Sequence, residues 1–424
     1  DLTMTAYSTS DRSDSGLMQE SLPLQNYCIA MQPICDGDLK HVGDELLYRD
    51  SATATFANVA DDQAVVATAR VYHIAFYEIG IERLVGKRRM FVNAPRDMLL
   101  KPELLPSNPD QLVIEVLEDV AGDPEVVESL RRIRSRGFDV ALDDFVLTPE
   151  TEPLLEVATI VKVDMLQPFD EPAVARYKRM GLRLMAEKVE DFDSFERLRA
   201  MGFELFQGYF YARPETQKTL SNTRNNNHAA LMRLVSALYR CNTDFKEIER
   251  IIAQDAALTF LLLKYANSAR FHYRGKIETI FQVLLALGLK PVRNMAITML
   301  IANNGPASKL LLSRALTRAD MCERLAKPSM LGAESAFLAG LLSMMGPLLG
   351  KPLPELMKDL SLSADLIDAV LTRGGPLGVL LKDVEAFENA NTAGWTPERV
   401  ETFNRTWMKS QVWTTEILSM VDAV

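Results

Sequence analysis

At 424 residues, with 48% apolar and 25% charged side chains, the chain has the composition of an ordinary globular protein long enough for two or three domains. A formal net charge of -10 and a pI near 5.2 exclude a nucleic-acid binder that works through a basic surface. No apolar run approaches the roughly 18 residues that span a bilayer, so a cytoplasmic protein without a membrane partner is expected.

The first residues, DLTMTAYSTSDRSDSGLMQE, are polar and lack a signal-peptide pattern. Residues 1–24 read as a flexible tail, with Met4 as the true start and Asp1 to Thr3 as a remnant. Cys28, Cys35, Cys241 and Cys322 form no CxxC pair, and His41, His73, His228 and His272 are equally scattered. A reduced protein without a zinc site follows, its cysteines being plain core or surface residues.

Next comes an alternation of strands and helices. Strands are predicted at 27–35, 42–49, 89–94, 111–118, 138–145, 159–165, 183–189 and 204–210. Helices are predicted over 67–86, 124–137 and 191–202, opened by aspartate or proline and closed by glycine. This pattern points to a (β/α)8 barrel of the TIM type over residues 25–215. A doubly wound sheet competes, but no glycine-rich turn follows the first strand. Residues 216–228, TQKTLSNTRNNNH, read as a linker. From 229 to 424 the runs are amphipathic without strand alternation, so an all-helical domain is expected. Trp407 and Trp413 form an aromatic stripe on its last helix, read as core packing.

Polar residues recur near the ends of the apolar strands. Glu45 lies on the second, Asn93 on the third, Glu115 and Glu118 on the fourth, and Asp143 and Asp144 on the fifth. Lys162 and Asp164 follow on the sixth, Glu187 and Glu190 on the seventh, and Gln207 on the eighth. In a barrel such ends converge on one mouth. Unpaired burial of so many carboxylates costs several kcal/mol each, and a bound divalent cation offsets it. Oxygen ligands without His or Cys favour Mg2+ or Mn2+, or Ca2+, over zinc. Adjacent Asp143 and Asp144 could hold or bridge two ions, as in two-metal phosphodiester hydrolysis. Lys162 would orient water or neutralise developing charge, and Arg49 is placed for a substrate phosphate. Each residue also has a plainer reading. A strand-end aspartate is often a turn former, Glu118 and Glu190 could be helix N-terminal caps or solvated ends, and Lys162 could simply pair with Asp164 or Glu187.

The set of motifs resembles the EAL domain of bacterial cyclic di-GMP phosphodiesterases. The matching pieces are QPI (32–34), ELLYR (45–49), FVNAP (91–95), IEVLED (114–119), LDDF (142–145), VKVD (161–164), AEKVED (186–191) and FQGYFYARP (206–214). The resemblance implies hydrolysis of cyclic di-GMP to pGpG. It implies Glu45, Asn93, Glu115 and Asp143 as metal ligands and Asp144 for a second metal. Lys162 would act on the nucleophilic water, Glu187 and Gln207 would complete the pocket, and Gln32 and Arg49 would meet the substrate. Departures stand beside it. Val146-Leu147-Thr148-Pro149 replaces a glycine-containing loop after Asp144, and Leu46 replaces the alanine of the signature. Leu117 replaces a threonine, and Lys188 replaces a glycine, placing a cation beside a proposed ligand. The changed loop also makes a family-like dimer doubtful.

In the helical half, residues 255–297 resemble the HDOD domain, a relative of the HD phosphohydrolases. Where those enzymes carry a His-Asp pair, this chain has Ser343 and Met344, so a regulatory module for protein partners is implied. The expectation is a bacterial signalling protein with an EAL-like phosphodiesterase barrel and a non-catalytic HDOD-like domain. The alternative is a degenerate barrel acting as a cyclic di-GMP receptor or protein scaffold.

Overall fold

A computed structural model describes residues 27–50, 71–212, 245–253, 277–302, 306–327, 332–358 and 362–421, with isolated positions between them. The expected tail and linker, His228, His272 and Cys241 lie outside the described residues.

Eight strands close a barrel in chain order. They are β1 Tyr27–Asp36, β2 His41–Asp50, β3 Arg89–Ala94, β4 Leu112–Val116, β5 Asp139–Leu142, β6 Ile160–Asp164, β7 Arg183–Val189 and β8 Leu205–Gly208. Every expected strand is present. Seven run parallel, whereas β1 is antiparallel to both β2 and β8. The cause is the connection over 37–40, too short for a crossover. Its turn is built by the Asp36 carboxylate, which accepts the backbone N–H groups of Asp38 and Lys40, and by Leu39 at φ 60°.

Helices Pro124–Ser135 and Phe192–Ala200 form as expected, with Asp123 and Asp191 accepting N–H groups of the first turn. The single helix expected over 67–86 does not. A π-helical stretch, His73–Ile79, ends at Gly80 with φ 93°, and a short α-helix, Ile81–Val85, follows. The glycine inside the helical pattern marked the break. Between β5 and β6 only a 3-10 turn, Glu152–Glu156, stands in for a helix.

Inside the barrel, Ile34, Phe91, Val113, Ala141, Ile160, Met185 and Leu205 form one buried apolar layer. At the remaining strand sits Gly43, where an added Cβ would stand 3.3 Å from the Phe91 ring, so the large ring fills the missing volume. This layer plugs the barrel and floors whatever lies above it.

No strand occurs among the described residues of the second half. Its helices include Ile280–Leu287, Leu289–Ala302, Pro306–Leu325, Ala333–Leu342, Gly375–Glu388 and the terminal Pro397–Val421. Asn267 bridges to the backbone of Ile277 in both directions, at 2.7 and 2.9 Å. Thr279 and Gln282 close a capping box on the helix that follows. These residues of the HDOD-like stretch therefore shape the backbone. Trp407 is buried and Trp413 meets Phe337 edge-on at 6.1 Å, which makes the aromatic stripe core packing. The terminal helix also docks on the barrel. Asn404 accepts the Ile29 N–H of β1 at 3.0 Å, and Thr415 donates to the Leu84 carbonyl at 2.6 Å.

Candidate active site

Side chains on one face of a strand recur every two residues. Two positions beyond Gly43, Phe91, Val113, Ala141, Ile160, Met185 and Leu205 stand Glu45, Asn93, Glu115, Asp143, Lys162, Glu187 and Gln207. On reversed β1 the matching residue lies two positions before Ile34, and it is Gln32, paired opposite Glu45. The site is thus the next layer of the barrel interior, resting on the apolar one.

Lys162 stands at its centre with no exposed surface. Its ammonium lies 2.6 Å from Asp143 Oδ1, 2.7 Å from Glu115 Oε1, 3.0 Å from Glu187 Oε1 and 3.4 Å from Glu45 Oε1. Asp164 is not among its partners. Gln207 Nε2 donates to Glu45 Oε2 at 2.7 Å and to Gln32 Oε1 at 2.8 Å. Tyr72 donates to the Asn93 carbonyl at 2.8 Å and anchors the end of β3.

Four carboxylates around one ammonium leave an excess of negative charge in a dry place. Burial, with Glu45 beside it, pushes Glu115 well above the usual carboxylate range. Burial likewise raises Glu187 to about 8, against the pull of Lys162. Burial works against the Lys162 ammonium, but Glu115, Glu187, Glu45 and Asp143 outweigh it and raise its pKa well above the ordinary value. Lys162 is therefore a fixed cation.

Several buried acceptors find no donor: Asn93 Oδ1, Glu115 Oε2, Asp144 Oδ1, Glu187 Oε2 and Gln207 Oε1. Orphaned acceptors of this kind call for a positive partner. Two overlapping groups can supply ligand atoms within 4.8 Å of one another, Glu45 with Glu115 and Asp143, and Asp143 with Asp144 and Glu187. An all-oxygen donor set with an amide carbonyl beside it fits a hard divalent cation.

On the rim, Asp144 adopts φ 41° and Lys188 φ 55°. Left-handed backbone costs a non-glycine residue about 1 kcal/mol or more, and both positions border the site. Lys188 Nζ reaches Asp164 Oδ2 at 2.7 Å and Asp144 Oδ2 at 3.3 Å. Burial lowers its pKa, yet these two carboxylates raise it on balance. The loop after Asp144, though without glycine, is tied internally. Thr148 N–H bonds Thr151 Oγ1 at 2.9 Å, and Thr151 Oγ1 donates to the Val146 carbonyl at 2.7 Å.

Of the residues singled out by sequence, the fold brings together Gln32, Glu45, Asn93, Glu115, Asp143, Lys162, Glu187 and Gln207, with Asp144 at the rim. Glu118 and Glu190 are exposed, as solvated ends would be. Arg49 lies in β2 opposite Cys28, and its side chain is outside the described residues. Sequence reading missed the tether from Lys188 to Asp164 and Asp144. Strict alternation sends residue 188 outward, and a bulge in the β7–β8 pairing overrides it. In the helical half, Ser343 accepts from Arg318 at 2.9 Å, and the same guanidinium holds Glu385 and Glu388. An arginine–glutamate network thus surrounds the place where a metal-binding pair would be sought.

A family model for the HDOD domain matches residues 227–369. Cyclic di-GMP phosphodiesterase CdgJ of Vibrio cholerae is 32% identical over 378 residues, spanning 86% of each chain. The uncharacterized protein YuxH of Bacillus subtilis is 30% identical over 377 residues, 86% of this chain and 91% of that one. Among solved structures, an EAL domain protein of Listeria monocytogenes is 25% identical, covering 44% of this chain and 87% of its own, with a TM-score of 0.36.

Proposed function

Because the chain belongs to the EAL–HDOD signalling proteins, we propose that it hydrolyses cyclic di-GMP to linear pGpG at the barrel mouth, using Mg2+ or Mn2+. The observation that carries this reading is the set of orphaned buried acceptors on Asn93, Glu115 and Glu187, gathered in one layer, with that of Asp144 at its rim. In this reading residues 25–215 form the catalytic unit, 216–228 a linker, and 229–424 a regulatory unit that meets protein partners.

Glu45, Asn93, Glu115 and Asp143 would hold a divalent cation, which when bound polarises a phosphodiester oxygen and lowers the pKa of water. Lys162 keeps its proton and so cannot act as a base. Its role is to fix four carboxylates and to place a positive charge beneath the reacting phosphate. Glu187, with Oε2 lacking a donor, is assigned the proton of the attacking water. Gln207 orients Glu45 and, with Gln32, lines the pocket. Arg49 is assigned to a phosphate oxygen on its place in β2 alone.

The test is incubation of purified full-length protein with cyclic di-GMP and Mg2+ or Mn2+, with pGpG followed by chromatography. Wild type should form pGpG, and Glu45→Ala or a chelator should lower the rate at least about 100-fold. A second reading, a cyclic di-GMP receptor, draws on the ion pair between Lys188 and Asp144. Metal-independent binding without turnover would establish it in place of the enzyme. Binding of neither nucleotide nor metal would leave a protein scaffold.

A further inference from the structure

We infer that the ammonium of Lys188 occupies the role of a second divalent cation, so that each chain binds one metal ion where its carboxylates could otherwise seat two. This rests on the metal-dependent reading of the site and specifies its stoichiometry.

The two candidate metal groups share Asp143 and differ in what surrounds them. Glu45, Glu115 and Asp143 lie inside the barrel, below the rim, where the orphaned oxygens of Glu115 and Asn93 await a positive partner. In the second group Glu187 Oε2 and Asp144 Oδ1 also lack a donor, but Asp144 already has a cation at its other oxygen, Oδ2. Lys188 lies within 3.3 Å of one of its oxygens and 2.7 Å from Asp164, whose side chain is only 7% exposed. Asp164 is itself fixed, because its Oδ1 accepts the Leu166 N–H at 2.8 Å. The ammonium is thus held between two carboxylates.

The backbone is shaped to put it there. Lys188 follows inward-facing Glu187, and in a regular strand it would face the outside of the barrel. Pairing between β7 and β8 shifts register between Ala186 and Val189, and Lys188 takes φ 55° within that bulge. β8 accommodates it with Gly208 at φ 147°, where an added Cβ would come within 2.2 Å of the Val189 carbonyl oxygen. Two unusual backbone positions on adjacent strands together turn one lysine over the rim.

A divalent ion bound by Asp143, Asp144 and Glu187 would have to sit near this ammonium. Like charges at such range repel strongly even near a solvated rim. A compact ammonium also gives Asp144 the same neutralisation that a metal would, with three donors on a flexible stem.

The experiment counts metal rather than turnover. Metal-free full-length protein is titrated with Mn2+, bound manganese is measured by mass spectrometry after desalting, and low-temperature electron paramagnetic resonance reports coupled ion pairs. Wild type should bind one Mn2+ per chain with an uncoupled six-line spectrum. Lys188→Gly, which suits the left-handed backbone, should bind two and show a coupled pair. Lys188→Asn also tolerates that backbone and removes the charge, and it serves as the second variant if the glycine protein does not fold. Two manganese ions in wild type would overturn the inference while leaving the phosphodiesterase reading intact. One ion in both wild type and the neutral variants would also overturn it. No manganese in any of these proteins would overturn both readings together.

Discussion

Lys162 is buried completely, and four carboxylates within 3.4 Å are what make that tolerable. Removing one partner of a buried ionic cluster costs about 3–5 kcal/mol, because the remaining charges stay behind unpaired. Lys162→Met keeps most of the side-chain volume and removes the charge. The metal-free variant should therefore unfold at a lower temperature than metal-free wild type. Added Mn2+ should raise the variant's melting temperature by more than it raises that of wild type, since the cation then supplies the missing charge. Equal shifts in calorimetry would refute the view that the metal and the Lys162 ammonium neutralise the same carboxylates. At this scale most of the site was legible in the sequence. Asn93, Glu115, Asp143, Lys162, Glu187 and Gln207 each follow an apolar strand residue by two positions, as Glu45 follows Gly43, and that period needs no tertiary information. Lys188 was legible as a cation beside a proposed ligand, but not its partners. Its direction depends on a bulge, which is a property of paired strands.

Each strand of the barrel was legible as an element, while two connections were not. The hairpin that reverses β1 is written in the shortness of residues 37–40, yet reading β1 as one more member of a βα series hides it. The break of the 67–86 helix turns on Gly80, one residue in an otherwise helical pattern. A glycine matters most at the end of β8, where Gly208 makes room for the bulge that carries Lys188. Gly208→Ala would force a Cβ to within 2.2 Å of Val189 O and 2.5 Å of Val189 N, both backbone atoms that cannot swing aside. Overpacking and a disfavoured φ together should cost about 3 kcal/mol or more. Chemical denaturation should show that loss. If the alanine protein were as stable as wild type, the bulge would have to be softer than its geometry implies.

Across the whole molecule, the two halves share a buried surface beside the site. A cavity of about 140 Å3 is lined by Gln32, Asp44 and Gln207 of the barrel and by Arg314, Glu388 and Gln411 of the helical half. The sequence offered no sign of this contact, because its polar members sit on helices that read as self-contained. Glu388 ties two helices of the helical half together on its side of that wall. Burial alone would raise its pKa, but Arg318 and Arg314, at 2.6 and 3.0 Å, bring it down to about 2. A carboxylate whose folded pKa lies below its unfolded value stabilises the fold above the unfolded pKa, near 4.5, and that stability is lost as pH falls through about 2. The contribution at neutral pH is on the order of 3 kcal/mol, set by the gap between the folded and unfolded pKa values. Glu388→Gln removes the titration and leaves buried Arg318 and half-buried Arg314 short of a counter-charge. The variant should be less stable than wild type at pH 7, and the gap should close steadily between pH 4.5 and pH 2. Urea denaturation across that range measures it. A gap that stayed constant with pH would mean that the loss came from packing, and that these two helices are not held together by charge.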